Sequence, residues 1–226
     1  MRIGGLQKLT LLDFPQKVAC TIFLQGCNYR CPFCHNTPLL EGTQELSVSS
    51  VLDFLKKRQG MLDGVAITGG EPLLNQDIVS LLEPIKALGY AVKLDTNGSF
   101  PERLRMLIDQ GLIDYVAMDI KNCPEKYDLT CGSKNTLKAV EQSVRLLLDG
   151  TIPYEFRTTV VDELHEEEDF HKIGTWLRGA KAYYLQSFVD SGNVLSEGLH
   201  AASKEKLANI LAIAGQYIQN TSIRGL

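Results

Sequence analysis

The chain has 226 residues, is 44% hydrophobic and carries a formal net charge of −4. That length and apolar content suit one globular domain over residues 1–226 with a sizeable core. No lysine/arginine stripe is present, which argues against nucleic acid as the main partner, and no apolar run approaches the ~18 residues that a membrane helix needs.

Taken in chain order, short β-rich runs alternate with amphipathic helical patterns. The opening residues, Met1-Arg-Ile-Gly-Gly, lack the apolar block and cleavage site of a signal peptide, so a cytoplasmic, reducing location is expected. Strands are expected at Val18–Leu24, Val65–Thr68, Ala91–Asp95, Tyr115–Ile120, Tyr154–Val160 and Tyr183–Gln186. Helical patterns lie near Ser49–Arg58, Gln76–Leu88, Pro101–Gln110, Asn135–Leu148 and Glu166–Leu177, with a last helix over about Lys204–Tyr217. In the second of these, Ile78, Leu81, Leu82 and Ile85 recur at helical spacing and form a core-facing stripe. Strands alternating with helices imply βαβ units and a parallel sheet. The expected fold class is therefore α/β, with six such units suiting a partial (β/α)6 TIM-like barrel. A doubly wound sheet is the alternative, but no G-x-G-x-x-G follows the first strand.

The chemistry concentrates in Cys27-Asn-Tyr-Arg-Cys31-Pro-Phe-Cys34. An iron–sulfur cube normally takes four thiolates, one per iron. This loop offers three at C-x3-C-x2-C spacing, and no fourth cysteine is close in sequence. A bound cube would leave one iron open to a non-protein ligand, and an open iron is a reaction site. A Cys3His zinc site that includes His35 is the plainer alternative. It is disfavoured because His35 directly follows Cys34, and adjacent residues rarely reach two vertices of one tetrahedron. A disulfide framework does not suit six cysteines in 226 residues.

Other polar motifs fall at the expected strand ends, where the chemistry of such folds gathers. Thr68-Gly-Gly-Glu71-Pro72 follows the second strand, Asp95-Thr-Asn-Gly98 the third and Met118-Asp-Ile-Lys121 the fourth. Arg157 lies in the fifth strand and Gln186 ends the sixth. Gly69 and Gly70 let a ligand approach the backbone closely, or simply make a tight strand-to-helix turn. Asp95, Thr96 and Asn97 can hydrogen-bond a ribose, although Asn97-Gly98 is also an ordinary turn signal. Lys121 and Arg157 would face an anion, since buried charge is rarely tolerated unpaired. Their plainer readings are a solvated strand end and an internal ion pair. Cys20 reads as a small core residue. Cys123 and Cys131 are too few for a usual second cluster, and the acidic run Glu163–Asp169 reads as a helix N-terminus.

The loop Cys27-x3-Cys31-x2-Cys34, with aromatic Phe33 before its third cysteine, resembles the signature of the radical S-adenosylmethionine (SAM) superfamily. Gly5-Leu-Gln-Lys, Asp13-Phe-Pro, Gln25-Gly-Cys-Asn and Cys31-Pro-Phe-Cys-His-Asn resemble a narrower group. That group is the activating proteins of anaerobic ribonucleoside-triphosphate reductase, within the glycyl-radical-enzyme activases. The resemblance runs from about Gly5 to about Phe188 and implies the partial barrel of the superfamily.

By the same resemblance, Cys27, Cys31 and Cys34 carry a 4Fe-4S cluster. Gly69, Gly70 and Glu71 contact the methionine amino group of SAM. Asp95, Thr96 and Asn97 lie near its nucleoside, and Lys121 and Arg157 near its carboxylate. Phe33 counts with the cofactor-binding residues; His35 and Gln186 line the adenine pocket or a polar rim beside it. Positions resembling Asp95, Thr96 and Asp119 hold a monovalent cation in related pyruvate formate-lyase activases. The implied reaction is reductive cleavage of SAM, with an electron from flavodoxin or ferredoxin. The deoxyadenosyl radical so formed takes a hydrogen atom from a glycine of a partner enzyme, here anaerobic ribonucleotide reductase. The cysteine-rich insert of some activases is missing from this sequence, which favours the minimal subgroup.

Two other functions fit the same loop. One is a radical SAM enzyme acting on a small molecule, as in 7-carboxy-7-deazaguanine synthases. The other is a non-enzymatic iron–sulfur or zinc protein, which the motifs at Gly69–Pro72 and Asp95–Gly98 disfavour.

Overall fold

A computed structural model describes residues 1–40, 42, 45–190 and 192–225. These divide into two compact units that interleave along the chain. The first holds Met1–Asn28, Pro38–Thr96 and Phe100–Ala117; the second holds Tyr29–Thr37, Asn97–Ser99 and the chain from Met118 onward.

In the first unit, β1 (Ile3–Thr10) pairs antiparallel with β2 (Ala19–Leu24), with Ile3 opposite Leu24 and Thr10 opposite Ala19. A short helix α1 (Thr37–Leu40) and then α2 (Val48–Lys57) follow. The Ser47 hydroxyl starts α2 by accepting from the Ser50 N–H, a standard N-cap, and the helix buries Val51 and Leu55. Strand β3 (Gly64–Gly69) runs parallel to β2 in register Ala19–Gly64 to Leu24–Gly69. Helix α3 (Val79–Ala87) buries Leu81, Leu82 and Ile85, and Ile78 just before it is buried too, so the expected stripe does face the core. The helix opens at Val79 rather than Gln76, because Pro72–Leu74 first form a 3-10 turn and residues 76–78 a further turn. Strand β4 (Ala91–Thr96) is parallel to β3, and α4 (Pro101–Asp109) begins on a proline whose fixed φ suits a first helical turn. The core of this unit joins Cys20, Ile22 and Leu24 with Val65, Ile67, Val92 and Leu94, all at 0% exposure. Cys20 is a core residue, and burial pushes its thiol up to about 12.

Strand β5 (Tyr115–Asp119) passes from the first unit into the second. The second unit then carries α5 (Tyr127–Cys131), α6 (Leu137–Asp149), β6 (Tyr154–Val160), α7 (Glu167–Trp176), β7 (Tyr183–Ser187), α8 (Lys204–Gly215) and β8 (Thr221–Arg224). Strands β6, β7 and β8 are parallel, with Val160 opposite Ser187 and Gln186 opposite Arg224. At the start of α7 the Glu166 N–H donates to the Asp169 carboxylate at 2.9 Å, so the acidic run does begin a helix. Arg224 holds the short β8 by a bidentate pair to the buried Glu155, at 2.8 and 2.9 Å.

The fold class is α/β with a parallel-dominated eight-stranded sheet. All six expected strands form. Two strands were not expected: β1, whose Gly4-Gly5 and mixed exposure hide any alternation, and β8, which is only four residues long.

Candidate active site

In the first unit the exits of β2 and β3 are bound to each other. The Gly70 N–H donates to Leu24 O at 2.9 Å, and the Glu71 N–H donates to Gly26 O at 2.8 Å. Gly69 has φ +118°, a conformation that L side chains rarely adopt. A Cβ on Gly69 would stand 2.2 Å from Leu24 O, and one on Gly70 would stand 2.0 Å from Gly26 O. The Gly-Gly pair is thus required by backbone-to-backbone approach next to Cys27. Glu71 is fully buried; its carboxylate accepts from the Leu73 N–H at 3.0 Å and from the Thr96 hydroxyl at 2.8 Å. One side chain therefore caps the Pro72–Leu74 turn and ties the exit of β3 to that of β4. Asp95 pairs with Lys93, a lysine buried to 2% exposure on the same face of β4. Sequence reasoning missed Lys93, since one lysine in an apolar run gives no sign that it stays inside.

In the second unit, Tyr29, Cys31 and Phe33 are buried, while Cys34 is half-buried. The Cys34 N–H donates to Cys31 O at 3.1 Å, closing a tight turn through Pro32-Phe33. The Lys121 ammonium sits 5.8 Å from the centre of the Phe33 ring. His35 stacks on Phe188 with ring centres 5.5 Å apart. Burial lowers the His35 pKa, as does Lys121, while Asp190 opposes them.

Asp119 is the anion that Lys121 and Arg157 both meet here. Lys121 lies 3.0 Å from it, and Arg157 reaches it through Nε at 3.0 Å and Nη2 at 2.9 Å. Burial pushes the Asp119 carboxyl up, but the two cations outweigh this and hold it at about 2. The Asn97 side-chain oxygen accepts from the Ser99 N–H at 2.9 Å and the Ser99 hydroxyl at 2.6 Å, the turn geometry that Asn-Gly suggested. Gln186 lies in β7 opposite Arg224, half-buried.

Three residues that support these positions were not foreseen. The buried Tyr127 hydroxyl donates to Asp119 O at 3.4 Å. The His165 ring accepts from the Val161 N–H at 3.1 Å through Nδ1 and donates to Lys121 O at 2.9 Å through Nε2, the tautomer this network requires. Asn122 ties the segment after β5 to Thr130 and to Leu164 O, both at 2.9 Å. His165 sits in a strongly polar run that reads as solvent-exposed loop, so nothing local signalled its burial.

All six cysteines are free thiols. Three within one eight-residue loop make a soft donor set suited to iron–sulfur ligation. Among the described residues no group of three or more His, Cys, Asp or Glu gathers around one position for a single metal ion. A cube takes one thiolate per iron and is not a single-ion site.

Residues 21–174 match the model of the radical SAM superfamily. The chain belongs to that superfamily. It is 32% identical over 233 aligned positions to a protein of Methanocaldococcus jannaschii provisionally named a glycyl-radical enzyme activating enzyme, covering 98% of this chain and 95% of that one. It is also 41% identical over 85 residues to a 7-carboxy-7-deazaguanine synthase of Hyperthermus butylicus, covering 36% of this chain and 35% of that one. A crystal structure of a domain of pyruvate-formate lyase-activating enzyme from Bacteroides vulgatus superposes with a TM-score of 0.59 at 19% identity, covering 72% of this chain and 99% of that one, a likeness of fold.

This radical SAM protein is thus an enzyme of radical-generating redox chemistry. Its cofactors are a 4Fe-4S cluster and SAM, those of the superfamily. Among the described residues no helix is long and apolar enough to cross a membrane.

Proposed function

We propose that this radical SAM enzyme activates a glycyl radical enzyme, with anaerobic ribonucleoside-triphosphate reductase as the partner. The observation that carries the activase reading is the likeness to the Methanocaldococcus protein along 98% of the chain. The choice of reductase rests on the sequence segments around Gly5, Asp13 and Gln25.

In this reading Cys27, Cys31 and Cys34 would hold the cluster, and with three thiolates for four irons SAM would find an open position. When bound and reduced by flavodoxin or ferredoxin, the cluster supplies the electron for reductive cleavage of SAM.

The chain's own residues bind and orient. Gly69 and Gly70 keep the backbone before Cys27 at hydrogen-bonding distance from the exit of β3, which fixes where the cysteine loop begins. Glu71 holds Thr96, and with it the adjoining Asp95, in the stretch assigned to the nucleoside. Lys121 and Arg157, already drawn together by Asp119, present two positive groups to the SAM carboxylate. His35, its pKa lowered by burial and its ring stacked on Phe188, offers a flat face to adenine, with Gln186 as the second residue assigned there.

The test is electron paramagnetic resonance on anaerobically loaded, reduced protein mixed with SAM and the reductase. A glycyl doublet that disappears in the Cys31→Ala variant is expected. Deoxyadenosine formation without a doublet would contradict the assigned partner.

One observation favours a second reading. The 85-residue likeness to a 7-carboxy-7-deazaguanine synthase is the higher in identity, though it spans only 36% of the chain. That reading requires turnover of a free metabolite with no partner protein present.

A further inference from the structure

The backbone at the end of α5 meets the cysteine loop. The Arg30 N–H donates to Cys131 O at 3.0 Å, and the Cys31 Sγ lies 3.6 Å from the same oxygen. Gly132 follows at φ +62° as the left-handed cap of α5. A Cβ on Gly132 would stand 2.2 Å from Arg30 O and 2.7 Å from its carbonyl carbon. The backbone of Arg30 and that of Cys131-Gly132 are therefore packed against each other next to Cys31, with no room for a side chain on Gly132.

The rest of α5 keeps this seat in place. Tyr127, at 0% exposure, ties the start of the helix to Asp119 O. Asp128 accepts from the Asn135 N–H at 2.7 Å, the Thr136 N–H at 3.0 Å and the Thr136 hydroxyl at 2.5 Å. The Cys131 thiol has partners of its own in Asp128 O, Ser133 O and Thr136 Oγ1, at 3.6 to 3.7 Å. Its burial among them marks a structural cysteine rather than a second redox centre.

We infer that α5 and Gly132 form a rest that sets Cys31 in position as a cluster ligand. Gly132 is a positioning residue acting through the Arg30–Cys31 backbone. The inference rests on the assignment of the three cysteines to the cluster. Groups that orient a metal ligand in this way govern affinity and redox behaviour without touching the metal. The Cys31 thiol donates to the Cys131 carbonyl here; once Cys31 is a thiolate ligand, the negative end of that carbonyl would face its sulfur and disfavour added negative charge on the cluster.

Two substitutions separate the possible uses of the glycine. Asn tolerates left-handed φ but still carries a Cβ, so Gly132→Asn keeps the cap and loses the close approach. Gly132→Ala loses both. Gly179, at φ +92° with nothing within 4 Å of a built Cβ, supplies the control Gly179→Asn.

Iron uptake during anaerobic reconstitution and the cluster midpoint potential are the readouts, with melting of the iron-free protein measured alongside. Both Gly132 variants should lose roughly tenfold or more in apparent iron affinity. The cluster they do hold should be reduced at a higher potential, while Gly179→Asn matches wild type. Gly132→Asn with wild-type affinity and potential would overturn the inference. If a Gly132 variant does not fold, amide exchange on the wild-type iron-free protein decides instead. A protected Arg30 amide supports the rest, and exchange at the rate of an open loop refutes it. Wild-type protein that takes up no cluster would refute the ligand assignment itself, and this inference with it.

Discussion

His165 is wholly buried between Val161 and Lys121, and burial is the largest influence on its ring, lowering its pKa from 6.5. The folded protein therefore holds it neutral, whereas the unfolded chain protonates it below about pH 6.5. Its contribution to stability is complete above that pH and is lost as the pH falls from there toward the folded value, by up to ~1.4 kcal/mol per unit. Denaturation midpoints of wild type and His165→Gln between pH 7.5 and 5.5 should converge as the pH drops. His35, also lowered, is present in both proteins and cancels from the difference. Parallel curves would show that His165 titrates freely.

At this scale the three cysteines proposed as cluster ligands stood out because their spacing is local. An internal ion pair was one reading of Arg157, but its partner Asp119 was not legible, since the two lie 38 residues apart. Nor was the structural task of Glu71. Its sequence context pointed to a ligand, whereas its buried carboxylate here receives hydrogen bonds from Leu73 and Thr96.

Among the elements, the exits of β2 and β3 carry the heaviest constraint. Gly70 has no left-handed φ to explain it, so its requirement is purely one of space, a Cβ meeting Gly26 O at 2.0 Å. Gly70→Ala should destabilise the protein by about 3 kcal/mol or more through forced separation of the two strand ends. Gly89→Ala, where nothing lies within 4 Å, should cost only the strain of its own φ of +86°. Equal denaturation midpoints for the two variants would contradict the close approach.

The six strands expected from the sequence were readable because each is an apolar run bounded by a turn. β1 and β8 gave no such pattern. α5 has five residues, too few for a helical period to show, and its importance lies in backbone contacts that side-chain patterns do not encode.

For the molecule as a whole, alternation of strands and helices made the parallel α/β class legible in advance. The division into two interleaved units was not, because Tyr29–Thr37 and Asn97–Ser99 join the second unit from within first-unit sequence. The first of these inserts carries Cys31 and Cys34 but not Cys27, which stays in the first unit, and the second is the Asn97-Gly98 turn. The radical SAM assignment rests on three cysteines together with the family match over residues 21–174.

Its most direct test is the yield of 5′-deoxyadenosine from anaerobically reconstituted, chemically reduced protein supplied with SAM, in wild type and in Cys27→Ala, Cys31→Ala and Cys34→Ala. The account predicts that wild type forms deoxyadenosine and methionine, and that each variant loses both the cluster and the cleavage. Cleavage retained in any one of the three variants would contradict it.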